Sequence, residues 1–309
     1  MIEVAIMVEG QNGLNWPRWQ RVAKAVEDLG YVGLYRSDHY TNANPPDLDS
    51  LELWVSLTWL ASHTSRIEFG PLVSPVSFRH PTMTARMAAA VDDLSQGRLT
   101  LGLGAGWQVR EHNNYGWDLL EIPQRFQRFE EGLEVVTRLL QSDQPVNFEG
   151  EYYHIKDGIL LPRPQRPGGP PILIGGNGPQ RTLPLVARFA SEWNAVFTTA
   201  DNIKKLNTRL DELLQQNGRQ PGEVRRSLMT QVVYGKDSAQ VQQKAEQSGQ
   251  TLEALRESGL VVGTASEIVE QLGHLSEVGV QRVMLQWLAL DDLDGLENMA
   301  KEILPQVKA

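Results

Sequence analysis

Eight short apolar runs, separated by longer stretches with helical periodicity, recur from one end of this chain to the other. That alternation limits the possible folds more than any other feature, because repeated strand–helix–strand units lay strands parallel in one sheet with helices covering it. The runs predicted as strands are Ile2–Val8, Tyr31–Tyr35, Arg66–Gly70, Arg98–Leu103, Pro171–Ile174, Glu192–Phe197, Arg226–Tyr234 and Gln281–Trp287. Between the first two, Trp19, Val22, Ala23, Val26 and Leu29 share one face of a helix over Pro17–Leu29, and Gly30 stops it. The same reading places helices over Ser50–Ser62, Thr82–Leu94, Gln124–Leu140, Pro179–Ala190, Asn202–Gln216, Ala265–Val278 and Leu293–Val307. Eight strands make a (β/α)8 barrel, so one TIM barrel with insertions is expected over the 309 residues. A doubly wound open sheet is the other architecture the pattern allows. Two segments stand outside it. Asp143–Pro170, rich in Pro, Gly and aromatics, reads as an insertion with a small hairpin around Asn147–His154, and the polar, Gln-rich Lys236–Val262 reads as a helical second insertion.

Composition narrows the chemistry. With no cysteine, disulfides, thiolate zinc sites, iron–sulfur clusters and cysteine nucleophiles are excluded, and a cytoplasmic setting is expected. A net charge of −9 argues against binding nucleic acid, whose affinity comes largely from Lys and Arg neutralising phosphates. No run approaches the roughly 20 apolar residues of a membrane span, and the N-terminus does not read as a signal peptide. His39, His80, His112 and His154 form no HxxxH or HExxH pair, so no metal site is expected, and no GxSxG elbow or Walker loop appears.

In such a barrel the reacting side chains sit where each strand ends and its loop begins. The first strand leads into Glu9, a candidate base or substrate ligand unless it is merely solvated. The second leads into Asp38-His39, a carboxylate beside an imidazole that titrates near neutrality. Read bluntly, that pair is a turn residue next to an exposed histidine, and the residues alone leave both readings open. Gly175-Gly176-Asn177-Gly178 precedes a helix, where backbone N–H groups and the helix N-terminus suit a phosphate, with Arg181 one turn on; a plain connecting turn is the alternative. Gly102–Trp107 (GLGAGW) lacks the last glycine of a dinucleotide fingerprint. Trp107, among glycines after a strand, suits either stacking on a planar ring or packing.

In order and spacing, Ala25–Gly30 (AVEDLG), Arg36–Tyr40 (RSDHY), Thr64–Gly70 (TSRIEFG), His80-Pro81, Leu94–Trp107 (LSQGRLTLGLGAGW), Glu111-His112, Tyr115-Gly116, Arg128–Leu133 and Pro162–Arg181 make the chain resemble the luciferase-like monooxygenases, and among them the coenzyme F420-dependent oxidoreductases. The resemblance implies a bacterial-luciferase-like barrel with a deazaflavin or flavin across the strand ends. It implies that Asp38 and His39 face the ring, with His39 as the proton-transfer residue; in the expected reaction His39 or Glu9 completes the proton inventory. It further implies a bulge carrying a cis peptide at about Leu72, Val73 and Ser74 beneath the ring, Gly106 and Trp107 beside it, and Gly175, Gly176, Asn177, Gly178 and Arg181 at the cofactor phosphate. F420-dependent sugar-phosphate dehydrogenases carry a glutamate after the fourth strand where this chain has Ala105, which disfavours that substrate. The expected function is hydride transfer between F420 and a small organic molecule, with the two insertions as lids. The alternatives are an FMN-dependent two-component monooxygenase and a non-catalytic F420 or flavin binder. A homodimer through Ser50–Ser62 and a separate reductase supplying the reduced cofactor are also expected.

Overall fold

The computed structural model describes residues 2–307. Its first half runs β1 (Glu3–Val8), α1 (Trp16–Leu29), β2 (Gly33–Arg36), α2 (Leu53–His63), β3 (Glu68–Pro71), β4 (Ser74–Pro75), α3 (Pro81–Leu94), β5 (Leu101–Gly104), α4 (Val109–Tyr115) and α5 (Ile122–Gln141). The second half runs β6 (Val146–Glu149), β7 (His154–Gly158), β8 (Ile172–Gly175), α6 (Thr182–Phe189), β9 (Glu192–Val196), α7 (Ala200–Gln216), β10 (Arg225–Tyr234), α8 (Ser238–Gln247), α9 (Leu252–Glu257), β11 (Val261–Gly263), α10 (Ala265–Glu277), β12 (Arg282–Gln286) and α11 (Leu293–Val307).

The main sheet pairs β3-β2-β1-β12-β10-β9-β8-β5-β4, every pairing parallel. Its two ends meet through a bridge between Phe69 and Leu99, where Phe69 N–H donates to Arg98 O (3.1 Å) and Thr100 N–H to Phe69 O (2.8 Å). The sheet is therefore a TIM barrel. The open doubly wound sheet is excluded, because such a sheet keeps two unpaired edges. At this seam the strands approach too closely for side chains. A Cβ on Gly70 would lie 1.9 Å from Thr100 O, and one on Gly102 would lie 2.0 Å from Pro71 O.

Strand alternation sorts the core into two layers. Along β1, Val4, Ile6 and Val8 join the large layer between strands and helices, whereas Ala5 and Met7 point into the barrel with Tyr35, Leu72, Leu173, Met229 and Met284. The helices dock by the signals the sequence carries: α1 is capped by Asn15, whose side chain accepts from Arg18 N–H (3.2 Å), ends at Gly30 with φ +90°, and buries Trp19, Val22, Ala23 and Val26. Val22 and Val26 each contribute roughly 1.5–3 kcal/mol on burial. The bottom of the barrel is closed by charge instead. Arg282, fully buried, donates to Glu3, Glu68 and the Tyr35 hydroxyl, each at 2.7 Å.

The segment 143–170 contains the two-stranded antiparallel sheet β6–β7. The segment 236–262 is not helical throughout, since after α8 and α9 it ends in β11, which extends β10 in parallel through Val232↔Val261. Among the described residues, no helix is long and apolar enough to cross a membrane.

Candidate active site

A cavity of about 520 Å³ opens at the C-terminal ends of the strands. Its floor is built by barrel-facing side chains, among them Met7, Leu72, Met229 and Asn194, and its walls by the loops above them. Val73, joined to Leu72 by a cis peptide, packs against β5 and β8. A Cβ on Gly104 would lie 2.5 Å from Val73 Cγ2, and one on Gly175 would lie 3.2 Å from Val73 Cγ1. Gly102 and Gly104 of the GLGAGW segment, together with Gly175, thus make room for Val73.

Of the residues expected at the site, Glu9, His39, Leu72, Val73, Gly106, Trp107, Gly175 and Gly176 line this cavity. His39 Nδ1 lies 2.9 Å from Glu111 Oε1, and the other oxygen of Glu111 accepts from Tyr40 N–H at 3.1 Å. A carboxylate can only accept, so Nδ1 carries the proton and donates, leaving Nε2 as the nitrogen available to a ligand. Burial alone would lower the imidazole's pKa, but the hydrogen bond and charge of Glu111, together with the charges of Glu9 and Asp38, outweigh it, and the net shift is upward. Trp107 meets the imidazole edge to face, with centroids 5.5 Å apart, and is 60% exposed.

Glu9 is held by neutral amides: Gln286 Nε2 donates to one oxygen (2.6 Å) and Gln11 Nε2 to the other (2.9 Å). Gln11 is oriented in turn by the Ser37 hydroxyl, which donates to its Oε1 (2.8 Å). On the cavity floor Asn194 Nδ2 donates to Ser227 Oγ (2.9 Å), and Ser227 donates to Trp193 O (3.2 Å). That relay fixes the amide orientation and leaves Asn194 Oδ1 buried without a partner among the described residues.

Asp38, Ser74, Asn177, Gly178 and Arg181 do not line the cavity. The Asp38 carboxylate is buried, accepting from Ser74 Oγ (2.7 Å) and paired with Arg79, so it ties the bulge to the loop that carries His39. Asn177 is spent on β9: its Nδ2 donates to Val196 O (2.6 Å) and its Oδ1 accepts from Val196 N–H (2.9 Å). The Gly176 N–H is likewise spent on Asn194 O (2.9 Å). The N–H groups of Asn177 and Gly178 have no acceptor among the described residues, and they sit just before α6 beside exposed Arg181. An apolar slot, a glycine cradle, free N–H groups at a helix N-terminus and an orphan acceptor on the floor fit a flavin-like ring carrying a phosphorylated side chain.

The sequence reading passed over Glu111 as a site residue, along with Gln11, Gln286, Asn194, Phe126, Phe129 and Phe197. Glu111 lies on the seven-residue α4, too short to announce itself by periodicity; packing of Tyr40, Phe78, Tyr115 and Trp117, with centroids 4.8–5.2 Å apart, sets α4 against the His39 loop. The one usable signal was Glu111-His112 following GAGW. Neither segment expected to act as a lid contributes to the lining; Trp107, Phe126, Phe129 and Phe197 wall the cavity instead.

Residues 3–256 match the luciferase-like monooxygenase family. An F420-dependent glucose-6-phosphate dehydrogenase of Kineococcus radiotolerans is 26% identical over 274 residues, covering 87% of this chain and 78% of that protein. The 4-hydroxyprotoasukamycin monooxygenase of Streptomyces nodosus subsp. asukaensis is 29% identical over 204 residues, 66% of this chain and 52% of that protein. The coenzyme F420-dependent tetrahydromethanopterin reductase of Methanopyrus kandleri superposes with a TM-score of 0.80 at 20% identity, covering 99% of this chain and all of that one, a likeness of fold.

Proposed function

The chain belongs to the luciferase-like monooxygenase family, and from that premise we propose that it is an F420-dependent oxidoreductase exchanging a hydride between the deazaflavin and a small organic substrate. The observation that carries this reading is an apolar cavity lined by a tautomer-fixed histidine and by Gly175 and Gly176, beyond which the N–H groups of Asn177 and Gly178 lie just ahead of α6. The long relatives named as F420-dependent dehydrogenases support the choice of cofactor.

Leu72, Val73, Gly106 and Trp107 would hold the ring, and Asn177, Gly178 and Arg181 the phosphate. When bound, the deazaflavin supplies or accepts the hydride. His39 holds a proton at Nδ1 against Glu111 and moves one at Nε2, while Glu9 binds the substrate or relays that proton. The aromatic walls exclude water from the transfer. Asp38, through Ser74 and Arg79, positions the bulge.

Fluorescence titration of purified protein should show preferential binding of F420 over FMN. A preference for FMN would move the protein to the two-component monooxygenases. A separate reductase would supply the reduced cofactor. A homodimer through α2 is supported by Val55 on that helix (57% exposed) and Met83 on neighbouring α3 (49%). Light scattering at micromolar concentration should give twice the chain mass, and a monomer would exclude a stable pair.

A further inference from the structure

The cavity offers a ligand negative charge and hydrogen-bond acceptors, and among the described residues lining it there is no lysine or arginine. Glu9 faces the cavity with neutral Gln11 and Gln286 as its hydrogen-bond partners, and it has no ion-pair partner among the described residues. A protonated His39 does not offset this, because Glu111 already neutralises it at 2.9 Å. The arginines nearest the site direct their donors elsewhere, and the buried Arg36, whose hydrogen-bond partners are all neutral, reaches Glu9 only through its charge. Arg36 donates to Leu51 O and Ser56 Oγ, each at 2.6 Å, and Arg79 is paired with Asp38 and Glu52. Arg181 stands exposed past the far glycine loop, in the place suited to the cofactor phosphate. Asn194 Oδ1, the orphan on the floor, is an acceptor as well.

A phosphate or carboxylate entering such a cavity loses its water and gains no cation, whereas a protonated nitrogen gains the Glu9 carboxylate in surroundings that screen it weakly. We infer that the substrate presents a protonated nitrogen to Glu9 and carries no phosphate or carboxylate at the reacting end. This rests on the oxidoreductase reading for its biological sense, but the recognition is a property of the Glu9 wall alone. It also separates this chain from the sugar-phosphate specificity named for its relatives.

Calorimetric titration of the F420-loaded protein with benzylammonium, benzyl alcohol and benzyl phosphate tests it, since all three share an apolar ring suited to the Phe126 and Phe197 walls. Benzylammonium should bind at least about tenfold more tightly than the alcohol, and the phosphate most weakly. Glu9→Gln should abolish the advantage of the ammonium, while Gln286→Ala, which keeps the carboxylate, should preserve it. Phosphate binding as tightly as ammonium would overturn the inference, as would an unchanged order in Glu9→Gln. The same series on protein without F420 reads the Glu9 wall alone. A protein that takes up no F420 therefore defeats the cofactor reading, leaving the ammonium preference to stand or fall on its own data.

Discussion

His39→Ala should lower the single-turnover rate of hydride transfer by about a hundred- to ten-thousand-fold, the usual contribution of a positioned acid–base group, while F420 affinity stays within a few-fold of the parent. The split is expected because the ring and phosphate are assigned to Leu72, Val73, Gly106, Trp107 and the loop bearing Asn177, Gly178 and Arg181, and not to the imidazole. Glu111→Gln provides the finer test. An amide oxygen can still accept from Nδ1–H, so orientation survives, but the charge that raises the imidazole's pKa is gone. A histidine with a raised pKa keeps its proton to higher pH than usual. Removing the partner must move the corresponding limb of the pH–rate profile to lower pH, whichever protonation state is active. Full turnover in His39→Ala would remove His39 from the mechanism. An unmoved limb in Glu111→Gln would mean that the limb belongs to another group.

The largest effect on stability is expected at the barrel seam. Gly102→Ala places a methyl 2.0 Å from Pro71 O, a backbone atom that can yield only if the β3 end and β5 separate. Closure there depends on few backbone hydrogen bonds, and Val76 N–H to Gly104 O (3.0 Å) lies just beyond them. The cost should exceed about 4 kcal/mol, in the upper tail of single substitutions, and lower the melting temperature by roughly 8 °C or more. Gly273→Ala in α10 is the control. Its added Cβ meets nothing within 4 Å, so the higher helix propensity of alanine should stabilise by about 0.5–1 kcal/mol. A Gly102→Ala protein melting within about 2 °C of the parent would show that the seam relaxes easily.

Much of this molecule is written locally in its chain. Eight of the nine strands of the main sheet fall in the runs expected from the sequence, since burial on both faces of a parallel strand favours a largely apolar stretch, while the two-residue β4 does not. The helix stop at Gly30 and the loops bearing Glu9, His39 and Gly175 follow from the same short-range signals. What a side chain meets across the barrel is not written there. Asp38 and His39 are neighbours in sequence with equal claims to the ring, yet one turns to Arg79 and Ser74 and the other to the cavity, because successive residues of an extended segment point apart. Glu111 reaches His39 only because an aromatic cluster folds α4 back over a chain separation of 72 residues. Asn194 and Gln286, on strands far apart in sequence, become the orphan acceptor and the clamp on Glu9 only when the barrel closes. Local pattern determined which strands form and where the barrel opens. Tertiary structure decided which charges face the ligand, because that depends on contacts between segments that share no local signal.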